Sequence, residues 1–86
     1  MDRKLTLNDG TELVNSYVLR SGNILWVYVY AQIGFAELFG LLNDPEKTAR
    51  IRMETGGDET EHAGYTELFC IRKEDGGFIS AGLRQA

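Results

Sequence analysis

In an 86-residue chain that otherwise reads in strand rhythm, one stretch has helical period: residues 33–45, IGFAELFGLLNDP. Phe35, Leu38, Phe39 and Leu42 fall at i, i+3, i+4 and i+7 and form one apolar stripe. Gly34 is a permitted N-cap. Glu37 stands three residues on, where its carboxylate reaches back to the cap N–H, and Ile33 with Leu38 forms a hydrophobic staple. Asn43 tolerates the left-handed conformation of a C′ residue, and Pro45 then stops the helix. A helix of about nine residues is about 13 Å long and does not persist alone in water. It has to lie on a sheet supplied by the rest of the chain.

The remaining segments supply that sheet. Residues 4–7 alternate and Asn8-Asp9-Gly10 is a tight-turn signal, so Gly10 is expected at positive φ in a first hairpin. A second strand runs over residues 11–19, and Ser21-Gly22-Asn23 turns the chain. Residues 24–31, ILWVYVYA, are the strongest strand, with Trp26, Tyr28 and Tyr30 on one face and Leu25, Val27, Val29 and Ala31 on the other. After the helix, residues 48–55 alternate with Ala49, Ile51 and Met53 on one side. Gly56-Gly57-Asp58 turns into an acidic stretch expected to be a solvated loop, and Gly64 marks a bulge. Strands over residues 65–71 and 78–83 complete the order β-β-β-α-β-β-β. The reading is a small α+β single domain over residues 1–86: a curved antiparallel sheet or open barrel with one helix covering it.

Composition narrows the function. A net charge of −4 and a pI near 4.8 lack the basic face that nucleic acid requires, so no nucleic-acid partner is expected. No apolar run approaches the roughly 18 residues of a membrane span. The amino end leads into no signal-peptide core, which gives an expectation of the cytosol and no membrane partner. The single histidine, His62, lies near no serine in a nucleophile-elbow context. Cys70 sits between Phe69 and Ile71, where a thiol is expected to be buried and inert. Asp58, Glu59, Glu61 and His62 match neither calcium-loop nor zinc spacing, and the glycine pairs lack the strand-loop-helix setting of a phosphate loop. No catalytic set, metal site or cofactor is expected, and the chain reads as a non-enzyme.

One feature resists a purely structural account. A strand apolar on both faces needs cover on both, and one short helix covers only one. Trp26, Tyr28 and Tyr30 are therefore the candidate interface, either internal to a curved sheet or buried by a partner, since Trp and Tyr are favoured anchors. In LTLNDGTEL, FAELFGLLNDPEKTARI and GYTELFCI the chain resembles small proteins encoded in phages and prophages of Gram-positive bacteria. In outline its hairpins around one helix are similar to the tail-tube and baseplate-hub building block. That resemblance implies a structural or assembly role in the bacterial host or the virion, with a homo-oligomer or other phage structural proteins as partners. It brings no catalytic residues. The expectation is a self-associating structural or interaction module. The alternative is a small-ligand-binding domain or accessory enzyme with an aromatic-lined pocket, which a pocket with convergent polar groups would favour.

Overall fold

Turn chemistry sets where strands end, and the first hairpin shows how. Gly10 adopts φ +92° and donates its N–H to the Leu7 carbonyl at 2.9 Å, while Asp9 Oδ1 accepts from the Thr11 N–H at 3.0 Å. The computed structural model, which describes residues 2–86, runs β1 (Arg3–Thr6), β2 (Glu12–Val14), β3 (Ser16–Ser21), β4 (Ile24–Val29), α1 (Phe35–Leu42), α2 (Pro45–Thr48), β5 (Arg50–Thr55), β6 (Asp58–Ala63), β7 (Tyr65–Lys73) and β8 (Ile79–Gln85). The pairings are antiparallel and form two four-stranded sheets, ordered β2-β1-β5-β6 and β3-β4-β8-β7. The fold is α+β, with the helical crossover joining two strand-built halves.

The strand count differs from the sequence reading because two long strands are bent. Residues 11–19 divide at Asn15, at φ +51°, and the stretch after Gly57 divides at Gly64, at φ +87°. Each joint is a single left-handed residue at which the chain leaves one sheet and enters the other. β2 and β3 are thus two limbs of one strand, as are β6 and β7. The acidic stretch expected as a solvated loop is strand β6, paired with β5 from Arg50↔Ala63 to Thr55↔Asp58. Its side chains are nearly all exposed, which is why its polarity imitates a loop; on an edge, such charge repels foreign strands.

Between the sheets lies the core: Leu5, Leu7, Leu13, Val18, Leu25, Val27, Val29, Ile51, Tyr65, Ile79, Ala81 and Leu83, joined by Leu38 and Leu42 of α1. The helix buries a narrower stripe than its period suggests. Leu38 and Leu42 are fully buried and Leu41 packs beside them, but Phe35 and Phe39 each remain 42% exposed. The buried arc is rotated toward Leu41. Gly34 is the N-cap, without a side-chain bond. Asn43 is not left-handed but sits at φ −87°, because the chain passes straight into a second helix instead of reversing. Asp44 caps that helix by accepting from the Glu46 N–H at 3.0 Å, and Pro45 opens it where a missing N–H costs nothing. Among the described residues no helix is long and apolar enough to cross a membrane.

Candidate functional site: the aromatic outer face

Both sheets present their inner faces to one core, but their outer faces differ in kind. On the first sheet Lys4 lies between Glu12 at 3.1 Å and Glu54 at 3.7 Å, and Arg50 approaches Glu61 at 3.8 Å, so solvent meets cross-strand charge. On the second, strict alternation along β4 sends Leu25, Val27 and Val29 inward and leaves Trp26 and Tyr28 outside, with Tyr30 just beyond the strand. All three residues singled out from sequence therefore share one face, outside the core.

That face is a packed layer. In register with Tyr28 across the ladder, Tyr17 stacks on it with ring centroids 4.9 Å apart and lies 6.3 Å from Tyr30, which in turn stacks on Phe78 at 4.7 Å. Trp26 meets Phe69 edge-on at 5.6 Å. Arginine closes both ends: the Arg3 guanidinium lies 4.7 Å above Tyr17, and that of Arg84 lies 4.5 Å above Phe69 while bonding Glu67 at 2.8 Å. Opposite Trp26 stands Gly82, where an added Cβ would come within 2.6 Å of the Phe69 ring. A glycine in the middle of β8 is explained by that ring lying across it. Leu19, paired with Trp26, is 55% exposed, and Tyr30 is 47% exposed. Partial desolvation, then its neighbours Tyr17 and Tyr28, raise the Tyr30 phenol above its ordinary value.

Sequence reasoning missed Tyr17, Phe69, Phe78 and the two arginines. Tyr17 was legible from the alternation SYVLR, but Phe69 was not. β7 carries register shifts between Tyr65 and Glu67 and between Leu68 and Cys70, which turn Phe69 outward from an apolar run that reads as buried. The same shift corrects Cys70. It pairs with Gly82 on an edge strand and is half-buried, not in the core.

The remaining candidates disperse. Along β6, pairing sends Glu59 and Glu61 to the outer face with Arg52, while His62 lies opposite Ile51 and contacts Thr60 at 3.3 Å. Among the described residues no three His, Cys, Asp or Glu side chains gather in one place. The concavities are open surface grooves. One of them, at the Asn15 joint, is lined by Arg3, Asn15, Tyr17 and Tyr30. Comparison with known protein families, with curated proteins and with solved structures finds no match to this chain.

Proposed function

We propose that this protein is a non-enzymatic structural or protein-interaction module of the phage type, self-associating through the outer face of the β3-β4-β8-β7 sheet. The contrast between the two outer faces carries this reading: one is laced by the cross-strand charges of Lys4, Glu12 and Glu54, and the other is dominated by Trp26, Tyr28, Tyr30, Tyr17, Phe69 and Phe78. Fully burying one large apolar side chain is worth about 2 to 3 kcal/mol, so covering the exposed halves of Leu19 and Tyr30 favours association of copies. The resemblance in turn and apolar pattern to small phage and prophage proteins agrees with an assembly role.

Light scattering on the wild type at high micromolar concentration is expected to give a mass above that of one 9.6 kDa chain. Leu19→Lys places charge at an already exposed position of the face and should return a folded chain of lower mass. Arg52→Glu, on the charged face, should leave the mass unchanged. A wild-type monomer throughout that range overturns self-association.

A further inference from the structure

We propose that the joint between β2 and β3 is a carboxylate-binding site formed by the Arg3 guanidinium, the Asn15 amide and the hydroxyls of Tyr17 and Tyr30. These four residues line one groove. Three strands bring them together: Arg3 opens β1, Tyr17 lies in β3 immediately after the joint, and Tyr30 follows the end of β4.

The chemistry of each member fits one ligand class. Arg3 forms no ion pair among the described residues, whereas Lys4 beside it is held by both Glu12 and Glu54. The Arg3 guanidinium carbon lies 4.7 Å from the Tyr17 ring centroid, and with no ion pair among the described residues its N–H groups are open to a ligand. Those groups match the two oxygens of a carboxylate. Two phenols and an amide add uncharged donors. A phosphate dianion would call for a second free cation, and the adjoining groove offers Asp2, Glu54 and the already paired Lys4. One free cation with neutral donors suits a single negative charge. Asn15 itself is the one non-glycine residue at positive φ among the described residues. Strain of that kind gathers where a side chain must be aimed. The Tyr17–Tyr28 and Tyr30–Phe78 stacks hold both rings in place.

The carboxylate has two possible sources, a free small acid or an acidic segment of protein such as β6, whose Asp58 and Glu59 form no ion pair among the described residues. Heteronuclear NMR of the full chain, titrated separately with sodium propionate and with a capped peptide of residues 57–63, tests both. Backbone amide shifts at Asn15, Tyr17 and Tyr30 should saturate. Saturation with propionate identifies a small-acid site; saturation with the peptide alone identifies a protein carboxylate. Arg3→Gln should weaken binding about tenfold or more, the loss of a charge-assisted bond. Tyr30→Phe, which keeps the stacked ring, should weaken it about threefold. Leu19→Ser, which removes apolar surface from the aromatic face without adding charge beside Arg3, should lower the mass if that face is an interface and leave propionate binding intact, so the two proposals fail separately. Shifts that never saturate, that sodium chloride reproduces at equal ionic strength, or whose midpoint is the same as wild type in both Arg3→Gln and Tyr30→Phe overturn the site.

Discussion

Asn15 and Gly64 do at the scale of one residue what a loop does elsewhere: each redirects a strand from one sheet to the other. At φ +51° and φ +87° both occupy a region that a β-branched side chain does not tolerate. Asn15→Val and Gly64→Val are each expected to lower stability by about 1 to 3 kcal/mol, read as a shift in urea midpoint, while Asn15→Gly stays near the wild type. An unchanged midpoint for either valine variant would remove the joint from the account. His62 adds a pH dependence. Burial, then the positive charge of Arg20, holds its imidazole below the ordinary value of 6.5, so the unfolded chain takes up a proton at a higher pH than the folded one. Stability contributed by neutral His62 is present above about 6.5 and is lost as pH falls toward the folded value. His62→Gln should flatten that part of the curve of midpoint against pH, and a slope equal to wild type would exclude His62 as its source.

At the scale of elements, α1 divides its apolar residues between two roles. Leu38→Ala and Leu42→Ala, at fully buried positions, should each cost about 2 to 5 kcal/mol. Phe39→Ala, at a position 42% exposed, should cost under about 1 kcal/mol; calorimetric unfolding of the three variants checks the order. The existence of this helix, the six strand-length segments and the shared face of Trp26, Tyr28 and Tyr30 are legible because each depends on local period and local turn residues; that this face points outward is not. What was not legible depends on pairing. A left-handed Asn inside an alternating run leaves no trace in the period, so β2 and β3 read as one strand. An edge strand with two wet faces has the composition of a loop, so β6 reads as one. The outward turn of Phe69 follows from a register shift that only β8 reveals. The second helix does carry a signal, Asp44 as cap followed by Pro45 at the first helical position, but a proline just past a helix reads equally as a stop. The Arg3 groove joins residues from three strands, and no spacing in the sequence unites them.

The whole molecule is organised by an internal exchange. Replacing β1 through β4 by β5 through β8, and the reverse, turns the order β2-β1-β5-β6 into its own mirror reading, and does the same to β3-β4-β8-β7. The two central ladders, Leu5 against Met53 and Val27 against Ala81, both join one half to the other. The two joints lie at equivalent places, Asn15 in one half and Gly64 in the other. No comparable repeat is visible in the amino acids, so the equivalence is one of topology. Neither half owns a complete sheet, and each bent strand is held in both sheets. Opening one sheet therefore strains the other through a single residue. During folding, neither central ladder can form until the segment from α1 to α2 has brought distant parts of the chain together, so the loop-closure entropy falls before most of the reward arrives. The chain should accordingly fold slowly for its size, and its most protected amides should exchange only through global opening.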